Sequence, residues 1–201
     1  MQVVIVDYGM GNLRSVAKAV EFLGHECKVT GDRRQVERAE SIILPGVGSF
    51  PKAMENLKRQ GLVEAILEHI LKGRPFLGIC LGLQLLFEWS EEGGGAKGLG
   101  VLKGRVVRLS VPLRVPHMGW NELHIKRPDC PLLKGVSEGD RVYFVHSFYA
   151  APEDEEVVAA TTDYEIEFPA AVWHENVFAT QFHPEKSSRV GLTILKNFLE
   201  A

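Results

Sequence analysis

Three short runs in the first eighty residues are apolar at successive positions: Val3-Val4-Ile5-Val6, Ile42-Ile43-Leu44 and Phe76-Leu77-Gly78-Ile79. Side chains alternate across a strand, so a strand that is apolar on both faces must be covered on both. Between these runs, apolar residues recur at helical spacing, at Leu13, Val16, Ala17, Val20 and Leu23, and again through Leu57, Leu62, Ile66 and Ile70. Strand and helix in alternation is the pattern of a parallel sheet with helices on both faces.

In chain order, the expected elements are a strand over Gln2 to Asp7, a loop at Tyr8-Gly9-Met10-Gly11-Asn12, the first helix, and a strand from Glu26 to Val29. A polar segment leads to the strand at 41–44, which ends in Pro45-Gly46-Val47-Gly48. The second helical stretch, a strand from Phe76 to Ile79 and a helix from Cys80 to Trp89 follow. Beyond the glycine-rich turn 91–98, closely spaced strands are expected around Val101 to Leu109, Val142 to Val145, Val157 to Thr161, Ala170 to Trp173 and Val177 to Gln181. His174-Glu175-Asn176 reads as a hairpin connection between the last two. A final amphipathic helix carries Val190, Ile194, Leu195, Phe198 and Leu199. The reading is a single α/β domain over residues 1–201: a central, mostly parallel sheet flanked by helices, with an antiparallel portion in the second half.

Composition narrows the function. The 201 residues suit one domain, and a net charge of −3 gives no basic excess for nucleic acid or an anionic membrane. The N-terminal MQVVIVDYGMG lacks the cationic and apolar regions of a secretory signal, and no apolar run is long enough to span a membrane. Cys27, Cys80 and Cys130 are an odd set without C-x-x-C spacing, which suggests neither a disulfide framework nor a zinc site. No metal or cofactor is expected, and the expected compartment is a reducing cytoplasm.

Gly78-Ile79-Cys80-Leu81-Gly82 has the G-x-nucleophile-x-G form of a strand-to-helix elbow, with cysteine as the nucleophile. The glycines leave room for a turn that brings strand and helix together, and the partial positive charge at a helix start favours a thiolate. Cys27, inside a strand, and Cys130, in a proline turn, lack that setting and read as structural.

A thiol nucleophile needs a base, and the base needs an orienting group. Of seven histidines, His25 and His69 sit near element ends and read as surface residues, and His174 falls in the hairpin turn. His117, His124 and His146 are open on position. His183-Pro184-Glu185 is the strongest candidate, because it follows the apolar strand that would deliver it to the sheet edge. In extended chain the Glu185 carboxylate would face the same way as the His183 ring. Acyl chemistry also calls for oxyanion donors: the backbone N–H of Leu81, and one from Val47 or Gly48 in the flexible Pro45–Gly48 loop.

GICLGLQ and, about a hundred positions later, FHPEKS resemble the class I, or triad, glutamine amidotransferases, over nearly the whole chain. DYGMGNLRS, LPGVGSF, PHMGWN, HSFY and QFHPEKS resemble, within that family, the glutaminase subunits of imidazole glycerol phosphate synthases. The resemblance implies a triad of Cys80, His183 and Glu185 that hydrolyses L-glutamine. It implies a heterodimer with a (β/α)8 cyclase subunit, which uses the ammonia to make imidazole glycerol phosphate and aminoimidazole carboxamide ribotide in histidine biosynthesis. It further implies glutamine contacts at Gln84, His146, Ser147 and Phe148, and a partner face including Asn12, Met118, Trp120 and Lys186. On helical spacing, Glu88 would share a face with Cys80 and Gln84.

Three other readings are weaker. A glutaminase serving anthranilate, carbamoyl phosphate or GMP synthesis would share the elbow, whereas DYGMGN and PHMGWN are the narrower match. A flavodoxin-like phosphate loop at Gly9-Met10-Gly11 lacks the third glycine of a dinucleotide fingerprint, where Arg14 stands. Leu81, where cysteine-elbow peptidase-like proteins usually carry a histidine, argues against that class.

Overall fold

The computed structural model describes residues 3–201, so Gln2, the first residue of the expected first strand, lies outside it. The first half runs β1 (Val3–Val6), α1 (Leu13–Phe22), β2 (Cys27–Thr30), α2 (Arg33–Arg38), β3 (Ser41–Gly46), α3 (Phe50–Arg59), α4 (Leu62–Leu71), β4 (Phe76–Cys80), α5 (Leu81–Gln84) and β5 (Phe87–Ser90). The second half runs β6 (Ala96–Lys97), β7 (Leu102–Arg108), β8 (His117–Glu122), β9 (His124–Ile125), β10 (Arg141–His146), β11 (Phe148–Pro152), β12 (Val158–Asp163), β13 (Glu167–His174), β14 (Val177–Thr180) and α6 (Ser188–Leu199).

The main sheet has the order β2-β1-β3-β4-β14-β13-β12-β9. β2, β1, β3, β4 and β14 are parallel neighbours, and β13, β12 and β9 continue the sheet antiparallel. Alternation along β1 explains its position in the sheet: Val4 and Val6 enter the core with α2, α3 and α4, while Val3 and Ile5 enter the core with α1 and α6. All four side chains are fully buried, each contributing roughly 1.5–3 kcal/mol. A smaller sheet, β11-β7-β5-β6, and the β10-β8 ribbon complete the architecture.

Several expectations change. The Cys80–Trp89 helix is one turn only, because Leu83, Leu85, Leu86 and Phe87 are all fully buried and leave no face for solvent; the chain becomes β5. Glu88 therefore does not stack on Cys80 and Gln84, and its carboxylate instead accepts from the Gly104 N–H at 3.1 Å. The helical stretch through Leu57 to Ile70 divides at Gly61, whose φ of 67° lies in the left-handed region, into α3 and α4. The polar segment before Ser41 contains α2, capped by Asp32, whose carboxylate accepts from the Gln35 N–H at 3.0 Å.

His69, expected at the surface, is buried: its Nε2 donates to the Pro75 carbonyl at 2.9 Å, and burial lowers its pKa. The expected hairpin is present, with His174 opposite Val177.

Candidate active site

Cys80 ends β4 and precedes α5, with φ 56° and ψ −107°. This left-handed backbone costs a non-glycine residue roughly 1–3 kcal/mol, so the surroundings must hold it. The flanking glycines are sterically required. A Cβ on Gly82 would lie 1.9 Å from the Leu44 carbonyl oxygen, and one on Gly78 would lie 2.6 Å from that of Gly82. The cysteine side chain is nearly closed to solvent. Its Sγ accepts from Gln181 Nε2 at 3.6 Å and lies 3.8 Å from the Val145 carbonyl, to which a thiol can donate.

β14 is paired with β4, Thr180 opposite Ile79, so the segment that follows β14 arrives beside the elbow. His183 is anchored there by backbone: its N–H donates to the Tyr143 carbonyl at 2.9 Å, and its own carbonyl accepts from Ser187 Oγ at 2.6 Å. His183 Nδ1 donates to Glu185 Oε1 at 2.8 Å, with both side chains sealed from solvent. Glu185 reaches the ring by a route other than the expected one. Pro184–Lys186 form a 3-10 turn, and that turn, rather than extended alternation, swings the carboxylate back.

His183 Nε2 makes no hydrogen bond and is buried. Burial would favour a neutral imidazole, but interaction with the nearby Cys80 sulfur, and the hydrogen bond and charge of Glu185, outweigh it and raise the pKa well above 6.5. The raised value makes His183 the strongest base of the buried imidazoles, as a group that takes a proton from a nucleophile must be.

β3 runs through Pro45 and Gly46, two residues beyond the expected 41–44 strand, so the opposing loop begins at Val47. Gly46 lies opposite Cys80 in the β3–β4 register, and Tyr8, fully buried, donates its hydroxyl to the Pro45 carbonyl at 2.9 Å. Burial raises the phenol pKa, keeping Tyr8 a donor. A Cβ on Gly46 would meet that hydroxyl at 2.4 Å and the Leu81 side chain at 2.8 Å. Val47 and Gly48, with Cys80, Leu81, Gln84, His146, Ser147 and Phe148, line one cavity of about 520 Å³. The sequence-derived oxyanion and substrate residues thus line a single space, while the buried His183 and Glu185 are not among its lining residues.

The expected partner residues occupy a different surface. Met118 and Trp120, on one side of β8, are 55% and 50% exposed, so Trp120 is not a core residue. Its ring meets Tyr143 edge-on at 6.3 Å, and Lys186 Nζ lies 6.0 Å from the same tyrosine ring. Asn12 precedes α1, which packs against the Pro184–Lys186 turn.

The family described as glutamine amidotransferase class-I matches residues 4–201. The chain belongs to the class I glutamine amidotransferases. This amidotransferase is 57% identical to the imidazole glycerol phosphate synthase subunit HisH of Syntrophotalea carbinolica, covering 98% of each chain. It is 54% identical to the subunit of the same description from Caldanaerobacter subterraneus subsp. tengcongensis, covering 98% of its own length and 96% of the relative's. In fold it is similar to the structure described as PurLQS from Thermotoga maritima, with a TM-score of 0.80 at 23% identity over 99% of this chain and 97% of that one.

The amidotransferase also presents residues that motif reading passed over. Glu92 and Arg108 line the same cavity with opposite charges. Gln181 is the thiol's amide neighbour, and its place two residues before His183 was an available signal. Tyr8 gives no such signal, because only the fold brings it to Pro45. No helix among the described residues is long and apolar enough to cross a membrane.

Proposed function

We propose that this amidotransferase is the glutaminase subunit of an imidazole glycerol phosphate synthase in histidine biosynthesis, acting through Cys80, His183 and Glu185. The observation that carries the reading is the buried His183–Glu185 pair, delivered by β14 beside the Cys80 elbow, whose cysteine lines a cavity of about 520 Å³. Glu92 and Arg108 give that cavity one acid and one base, a match for the zwitterionic end of an amino acid.

In this mechanism Cys80 Sγ attacks the side-chain amide carbon of L-glutamine as His183 Nε2 takes the thiol proton. The oxyanion is met by the Leu81 N–H and by an N–H from Val47 or Gly48. His183 returns the proton to the departing nitrogen, which leaves as ammonia, and the γ-glutamyl thioester remains. His183 then deprotonates a water that attacks the thioester; glutamate departs and the thiol is restored. Glu185 keeps Nδ1 protonated and stabilises the imidazolium. The ammonia serves a (β/α)8 cyclase partner docked over Met118, Trp120 and Lys186, with Asn12 at its margin; exposed aromatic and methionine side chains suit an interface core. The cytoplasm is the proposed compartment.

Cys80→Ala tests the reading. In the complex with the cyclase, the variant should lose glutamine-dependent synthesis while keeping ammonia-dependent synthesis. Retained glutamine hydrolysis would overturn the assignment.

A further inference from the structure

β8 carries different residues on its two sides. Met118 and Trp120 face solvent, whereas His117 is buried and Asn121 bonds to it. The His117 ring is fixed between Phe144 and Tyr164, at centroid distances of 4.8 and 4.2 Å. From this ring a hydrogen-bond path leads to the cavity wall.

The chemistry of the groups sets the direction of every bond. The Phe148 carbonyl can only accept, so His146 Nδ1, 2.8 Å away, carries a hydrogen. Both imidazoles are neutral: burial takes the pKa of His146 down to about 3, its bond to Phe148 only partly opposing, and that of His117 down to about 4. A neutral His146 with its hydrogen on Nδ1 has a lone pair on Nε2, so His117 Nδ1, at 2.9 Å, donates. His117 Nε2 is then an acceptor, and Asn121 Nδ2 donates to it at 3.3 Å. The Asn121 amide is independently oriented, its Oδ1 accepting from the Glu122 N–H at 2.8 Å and its Nδ2 donating to the Asp163 carbonyl at 2.7 Å. At the far end, Gln84 Nε2 also donates to the Phe148 carbonyl at 3.0 Å and approaches Gln181 Oε1 at 3.3 Å; Gln181 Nε2 in turn donates to Cys80 Sγ.

We propose that Asn121, His117 and His146 are positioning residues, a one-way hydrogen-bond relay that fixes the Phe148 carbonyl in the cavity wall and so sets how tightly glutamine is held. Ser147 joins β10 to β11, which belong to different sheets; the Leu109 N–H holds the Ser147 carbonyl at 2.8 Å, whereas the Phe148 carbonyl beyond it is held by side chains, His146 and Gln84. The inference rests on the reading that the cavity takes glutamine.

The test uses the full chain with its cyclase partner. His117→Phe retains the ring stack and deletes both hydrogen bonds. It should raise KM for glutamine about tenfold while kcat stays within about twofold. His117→Asn places an amide N–H near the former Nδ1 and should recover most of the loss. An unchanged KM in His117→Phe, or equal losses in both variants, overturns the relay. A second measurement needs no variant: nitrogen-15 shifts of the unmodified protein should show both His117 and His146 as Nδ1–H tautomers, and an Nε2–H form of either overturns the proposal. Absence of glutamine hydrolysis in the unmodified complex would defeat the functional reading instead, while the ring shifts would still decide the relay.

Discussion

His183 Nδ1 lies 2.8 Å from Glu185 Oε1, and neither side chain reaches solvent. A carboxylate so placed holds a hydrogen on Nδ1, and in the proposed mechanism this leaves Nε2 to take the thiol proton. Glu185→Gln keeps the shape and removes the charge. Glutamine hydrolysis by the complex should fall by roughly 10²–10⁴-fold in kcat with KM little changed. Steady-state kinetics across glutamine concentrations check this.

The raised His183 pKa has a definite sign for stability. Its folded value exceeds the unfolded value of about 6.5, so the stabilisation is complete below that pH and is lost as pH rises through the folded value. Burial opposes the rise, and Cys80 then Glu185 cause it, so Cys80→Ala should move the His183 titration to lower pH. Ring-proton NMR of both proteins from pH 5 to 11 would read the shift; coincident titrations would contradict it.

Close packing at the elbow can be tested without touching the chemistry. Gly82→Ala drives a methyl into the Leu44 carbonyl and should cost about 3 kcal/mol or more in urea unfolding. Gly94→Ala meets nothing within 4 Å, although its φ is 89°, and should cost only about 1 kcal/mol. Similar losses in the two variants would show that the elbow is looser than described.

Trp120 stands half exposed opposite Tyr143 in the β8–β10 register, with its ring edge to the tyrosine. Trp120→Ala should weaken binding to the cyclase by about 2 kcal/mol, roughly thirtyfold in Kd, and leave the isolated subunit's stability within about 1 kcal/mol. Calorimetric titration and thermal unfolding measure the two effects.

The sequence was most informative where one physical requirement dominates. Strands buried on both faces have no freedom to be polar, so β1, β3 and β4 stand out as runs, and paired glycines around Cys80 mark the elbow. Leu83 to Phe87 misled for the same reason: a segment buried all round has no period, so a helix and a turn into β5 look alike. β8 and β11 escaped because His117-Met118-Gly119-Trp120 and Phe148-Tyr149-Ala150-Ala151-Pro152 carry glycine or proline and no clean alternation. Of the site, the residues carried by a local motif, at 78–82 and 183–185, could be proposed from sequence. Those delivered by the fold from distant segments, such as Tyr8 to Pro45 and His117 to His146, could not.

β4 lies between β3 and β14, and β14 is the last strand of the sheet to be synthesised. In a growing chain that has not reached Val177, β4 is an apolar strand with one edge unpaired, open to strand-to-strand association with other chains. Under the proposed mechanism such a chain holds Cys80 without His183, so glutamine hydrolysis would become available only once translation is nearly finished and the sheet has closed.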